Sequence, residues 1–135
     1  MGRMYSAEFE NVAVTAAQDF FELLAADDKP IAIHAVYLSQ SSDVGDSEEE
    51  MLRVKIIRGN ATSGSGGSSS TPAPLNPADT AAGTTVEVNN TTEASTGTEV
   101  DIHCEAFNVR TGFAFIPTPE MRPIVSEGAG TMIVV

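Results

Sequence analysis

The sequence predicts a mainly β domain, an antiparallel β-sandwich or barrel-like body with one short helix and a long Ser/Gly/Thr/Pro-rich loop. Three observations lead there. Segments such as Met51 to Ile57 alternate with a period of two, Leu52, Val54 and Ile56 on one face and Arg53 and Lys55 on the other. Turn signals separate about seven such short runs, and only one run, after Thr15, carries helix-start chemistry. The stretch from Gly59 to Gly83 is built largely of Gly, Ser, Thr, Pro and Ala, a composition that buries too little apolar surface to offset backbone ordering of roughly 1–2 kcal/mol per residue. With 135 residues the chain is one domain, and 41% hydrophobic and 19% charged residues suffice for a folded core.

The elements follow in order. Residues 1–14 read as an N-terminal arm or strand, with Phe9, Val12 and Val14 apolar. Thr15-Ala-Ala-Gln18 has the N-cap and N3 residues of a capping box, and Phe20, Phe21, Leu23 and Leu24 follow before Asp27-Asp-Lys-Pro30, which predicts a short amphipathic helix. Ile31 to Ser39 is apolar on both faces, as a central strand buried on both sides would be. Ser41 to Glu50 reads as a solvated acidic turn, without the ligand spacing of a calcium loop. After Met51–Ile57 comes the loop 59–83, expected to be flexible and solvated. Thr85 to Asn89 alternates again through Val86 and Val88.

Val100, Ile102, Cys104 and Ala106 are expected to line the inner face of the next strand, with Asp101, His103 and Glu105 outside. Asn108-Val-Arg-Thr-Gly112 supplies hairpin-turn chemistry before Phe113–Ile116. Pro117, Pro119 and Pro123 remove backbone donors, so that stretch is extended but not a central strand. The apolar run Thr131–Val135 requires a partner inside the fold or on a neighbour; ending within a strand, it suggests a truncated chain or a strand contributed to an interface.

Composition narrows the function. Asp and Glu number 19 against 7 Lys and Arg, a formal net charge of −12, which disfavours direct nucleic-acid binding. The acidity serves either solubility or steering toward a basic partner. The N-terminus lacks the apolar core of a secretory signal, and no run approaches the roughly 18 apolar residues of a membrane span. A soluble protein made in a cytosol is expected. Cys104 is the single cysteine, so neither an internal disulfide nor a cysteine-built zinc site is expected. His34 and His103 read as structural histidines and Cys104 as a buried thiol, because neighbours on a strand point to opposite faces. No nucleophile elbow, phosphate-binding Gly-Lys loop or His-Glu-x-x-His occurs, so no catalytic residue, metal or cofactor is expected.

Two stretches, Pro74-Leu-Asn-Pro-Ala-Asp-Thr-Ala-Ala-Gly-Thr-Thr-Val-Glu-Val-Asn-Asn-Thr-Thr92 and Ala106-Phe-Asn-Val-Arg-Thr-Gly-Phe-Ala-Phe-Ile-Pro-Thr-Pro-Glu-Met-Arg-Pro123, resemble small virion proteins of tailed bacteriophages, of the head decoration or capsid cement kind. The resemblance covers roughly the second half of the chain. It implies a non-enzymatic protein on the outer capsid surface of the virion, assembled in the host cytoplasm. Its partners would be the major capsid protein and neighbouring copies of itself, with a trimer favoured. Candidate interface residues are Tyr5 and Phe9 in the arm, as an augmenting strand, and Arg110, Phe113, Phe115 and Arg122 around the Pro-rich turn. The alternative is a phage tail or adsorption module that binds host-surface glycans, which clustered surface aromatics would favour.

Overall fold

The computed structural model describes residues 2–41 and 50–134, so most of the acidic turn expected at Ser41–Glu50 lies outside the described residues. The fold is mainly β and antiparallel. Its strands are β1 (Tyr5–Ser6), β2 (Asp19–Leu24), β3 (Ile31–Ala32), β4 (Val36–Leu38), β5 (Met51–Thr62), β6 (Ser68–Ser70), β7 (Ala73–Pro74), β8 (Thr85–Asn90), β9 (Ser95–Asn108), β10 (Phe113–Phe115), β11 (Ile124–Val125) and β12 (Gly130–Val134). Six of them form one sheet in the order β6-β8-β2-β12-β5-β9. A narrow ribbon is made where 31–38 runs antiparallel to 113–125, with β3 on β11 and β4 on β10. The N-terminal arm is held by β1 on β7.

The core forms where the ribbon meets the sheet. Val54 and Ile56 of β5, Phe20 of β2, Phe107 of β9 and Ile133 of β12 cluster with Ile33, Val36, Leu38, Phe113 and Val125 of the ribbon. The alternation of 51–57 and of Val86 and Val88 is realised as expected, since Val54, Ile56, Val86 and Val88 are all buried. The final apolar run is paired on both sides, β12 lying between β2 and β5.

Five expectations are corrected. The helix expected after Thr15 is β2, flanked by β8 and β12, and the helical content of the described residues is a 3₁₀ turn at Pro119–Met121. A ten-residue helix is marginal on its own, whereas Phe20 and Phe21 suit a strand. Gln18, expected in the capping box, is buried and donates from Nε2 to Asn89 Oδ1 at 2.6 Å. The segment Ile31–Ser39 is not a central strand. It is paired on one side only, and Ile33, Val36 and Leu38 are buried while Ala32, His34, Ala35 and Tyr37 are exposed. The step of three residues from Ile33 to Val36 breaks the alternation, so two short strands replace one long one.

The face expected to be inward on β9 is reversed at Cys104 and Ala106 but not at Ile102. Ile56 is opposite His103 and Lys55 opposite Cys104, and opposed residues share a face, so His103 takes the side of Ile56. Ile57 pairs with Asp101, and the bulge this leaves at Ile102 lets that side chain pack on the core as well. His103 therefore lies against Phe115, ring centroids 4.7 Å apart, while Cys104 and Ala106 are exposed. The turn at Asn108–Gly112 forms, with Thr111 N–H on Asn108 O at 3.0 Å. It makes no hairpin, because β10 pairs with β4 and not with β9.

Finally, 59–83 carries three paired stretches: β5 runs on to Thr62 against β9, β6 pairs with β8, and β7 with β1. Backbone hydrogen bonds hold it, so the absence of apolar side chains did not leave it free. Its glycines permit the approach, since a Cβ on Gly67 would collide with Val88 O and one on Gly64 with Thr92 O.

Candidate interaction surfaces

Each expected interface residue has a place in this architecture, and most point inward. Tyr5 is half-buried, its hydroxyl donating to Thr80 O at 2.9 Å. Phe9 stands edge-on to Phe20 and Phe21 with ring centroids 5.4 and 5.3 Å away. The arm is thus docked on its own domain. Phe113 is buried 5.5 Å from Phe107, and Phe115 is half-buried against His103. Arg110 is exposed in the turn, where its N–H donates to Asn108 Oδ1 at 3.0 Å. Arg122 is half-buried, and its Nε has no acceptor among the described residues.

The same Pro-rich region nevertheless carries an exposed apolar face, made by other side chains. Tyr37 is opposite Ala114 in the β4–β10 register, and both are exposed. Side chains at alternate positions share a face, so Ile116 continues it; on the β3–β11 ladder Ala32 and Ile124 do the same. Tyr37 is 66% exposed, Ile116 65%, Met121 72% and Ile124 53%. The ribbon is therefore apolar on both faces but covered on one. The sequence reading missed Tyr37 because it assigns both faces of 31–39 to the interior, and it missed Ile116, Met121 and Ile124 because in 113–125 it places Phe113, Phe115 and Arg122 on the surface instead.

A second feature is a groove of about 1670 Å³, bounded by the N-terminal arm, by residues 30–41 and by residues 80–84. Buried side chains including Phe20, Leu38, Phe107 and Ile133 line its depth.

The face of the sheet turned away from the ribbon holds a buried polar network. Glu22 and Glu87 are direct neighbours across β2 and β8, an arrangement that repels unless donors intervene. Asn90 supplies one, its Nδ2 lying 3.1 Å from Glu22 Oε2 and 2.9 Å from Glu87 Oε2. Asn89, at φ 57°, breaks the alternation that would have turned Asn90 toward Val86 and Val88. Glu22 Oε2 also accepts from Gly64 N at 2.9 Å and lies 3.1 Å from Ser63 Oγ. Among the described residues no group of three or more His, Cys, Asp or Glu side chains is arranged to hold a metal ion. The network is structural: it fastens 60–64 and 90–94 over the sheet.

Asp19 sits beside this network, fully buried, with Oδ2 accepting Ala94 N–H at 2.7 Å and Oδ1 without a partner among the described residues. Burial, reinforced by Glu93, Glu22 and Glu99 and opposed by the Ala94 N–H, pushes its pKa from 3.8 up to about 6. The folded chain thus binds this proton more tightly than the unfolded chain. Its contribution to stability is fully present at low pH and is lost as pH rises through about 6. A rise from 3.8 to about 6 corresponds to about 3 kcal/mol. Asp19→Asn should flatten this part of the pH dependence, which urea unfolding at acid and neutral pH measures; an unchanged slope would show that Asp19 does not carry it.

No protein-family model, no curated protein and no solved structure matches this chain.

Proposed function

We propose that this chain is a bacteriophage head decoration protein that binds the outer face of an assembled shell, beside copies of itself, and bridges neighbouring capsomers. The observation that carries the reading is the face of the ribbon left uncovered by the described residues, where Tyr37, Ile116 and Ile124 are exposed, with Met121 exposed in the adjoining 3₁₀ turn, on a chain of net charge −12. A cluster of exposed apolar side chains on an otherwise acidic protein marks a protein contact. Ribbon over sheet, with one core between them, makes a sandwich-like body whose outer face is free to dock. The resemblance of 74–92 and 106–123 to phage decoration proteins supplies the partner. Tyr37 is the one aromatic residue among the large exposed apolar side chains of the described residues, which favours a protein surface over the stacked aromatics of a glycan site.

No bond needs to be made or broken in this work. A protein that binds the closed lattice and not its separated subunits stabilises the lattice by mass action, and contacts repeated over a shell add through multivalency. Shells lacking the protein should release DNA at lower temperature or after milder osmotic shock than shells carrying it, and purified protein added back should restore the difference. The double variant Tyr37→Glu/Ile116→Glu alters only exposed positions, so it should fold and bind shells at least about 100-fold more weakly, because two charges would be buried unpaired. Equal release with and without the protein, or density for it only on the tail, would overturn the reading.

A further inference from the structure

Two segments with strand-like sequence border the same groove, one paired on a single side and the other paired over only two residues among the described residues. Residues 31–38 are apolar at nearly every position, as a central strand is, yet β10 and β11 pair with them on one side only. No strand lies along their other side among the described residues. The N-terminal arm alternates from Tyr5 to Glu10: Tyr5, Ala7 and Phe9 are half-buried, Ser6, Glu8 and Glu10 exposed. That is the pattern of a strand lying on a core. Among the described residues, Tyr5 and Ser6 alone of this arm have a strand partner. The groove of about 1670 Å³ is lined by both segments, with buried apolar side chains in its depth.

We propose that this groove is a strand-acceptor site, in which an extended segment of another protein, apolar at alternate positions and basic between them, adds to the free side of 31–38. A strand edge templates an added strand through its backbone groups, and side-chain pockets at alternate positions select its sequence. Charge selects the partner. Glu8, Glu10 and Glu50 line the groove, whereas its cations are engaged elsewhere, Arg3 with Asp79 and Thr80 and Lys29 with Asp28. The occupant's solvent-side residues are therefore Lys or Arg. A second copy fits less well, since its arm brings Glu8 and Glu10 to a groove already acidic, and its longer strands are committed to the six-stranded sheet. Tyr37 and Ala32 border both this groove and the ribbon's outer face, but the acceptor site rests on the unpaired strand side and does not depend on the shell reading.

The test uses the intact protein and synthetic peptides of about eight residues, a typical strand length. One peptide alternates Val and Lys, a second alternates Val and Glu, and a third is the Val–Lys peptide N-methylated at alternate residues, which cannot complete a ladder. Hydrogen exchange is followed amide by amide. The Val–Lys peptide should slow exchange of amides within 31–38 by about tenfold or more, and the other two should not. Equal protection by the Glu or the N-methylated peptide, or no protection at 31–38 by any of them, would overturn the proposal. Protection of the same amides that grows with protein concentration in the absence of peptide would overturn the assignment of the partner and give the groove to a second copy.

Discussion

Replacing Glu22 by alanine should cost about 3 kcal/mol, since one buried and several part-buried donors lose an acceptor, at about 1–3 kcal/mol for a buried one and less for those nearer solvent. Glu22 is 7% exposed, and its carboxylate faces Gly64 N–H, Asn90 Nδ2, Ser63 Oγ and, through Oε1, Asn60 Nδ2 at 3.3 Å. Gly64 N–H has no side chain with which to find another acceptor, and Asn90 keeps only Glu87. The loss should appear as a lower urea midpoint with little change in slope, because the same surface is exposed on unfolding. Glu22→Gln retains one acceptor oxygen and should cost about 1–2 kcal/mol, in proportion to the bonds lost. A cost for alanine below that of glutamine would show that the network contributes no net stability and that 60–64 is held by its backbone ladder alone. The same experiment addresses the loop, because a short linker in place of 59–83 removes Ser63 and Gly64 along with β6 and β7.

Ile56→Ala should be of similar size, about 3–4 kcal/mol, the range for truncating a branched side chain in a core that cannot collapse around the void. Ile56 is 1% exposed and sits on β5, between β12 and the edge strand β9, opposite Ile133 on one side and His103 on the other. β12 is fixed by a second ladder, to β2, and Ile56 packs in the main core cluster, so relaxation into the cavity is limited. Cys104→Ala is the contrast. Its side chain is exposed on the edge strand, and its replacement should change stability by less than about 0.5 kcal/mol. Comparable costs for the two would mean that β9 has turned its other face to the core.

That contrast shows where reading the sequence stops. Val100, Ile102, Cys104 and Ala106 form as regular an alternation as Leu52, Val54 and Ile56, yet of the first set only Ile102, at the bulge, packs on the core. The difference is the register of β9 on β5, which sets Cys104 and Ala106 opposite the outward Lys55 and Arg53 and which no local pattern announces. The candidate surface was partly legible for a related reason. The Pro-rich region reads from the sequence as extended and as part of an interface through Phe113 and Phe115, but the structure turns Phe113 and Phe115 inward and leaves Ile116 and Met121 on the surface. The register of β10 on β4 decided which was which.

By itself the sequence determined the β class, the alternating strands at 51–57 and 85–89, the turn at 108–112 and the need of 131–134 for partners. These rest on side-chain periodicity and on turn residues, properties of neighbours along the chain. Only the tertiary structure decided that 19–24 is a strand, that 31–38 has one neighbour instead of two, and that a loop of small residues is laddered. Asp19 pairs with Asn90, Tyr5 with Pro74 and Ser68 with Val88. Those bonds join backbones that are distant in sequence, and the backbone carries no record in its side chains of which strand will lie beside it.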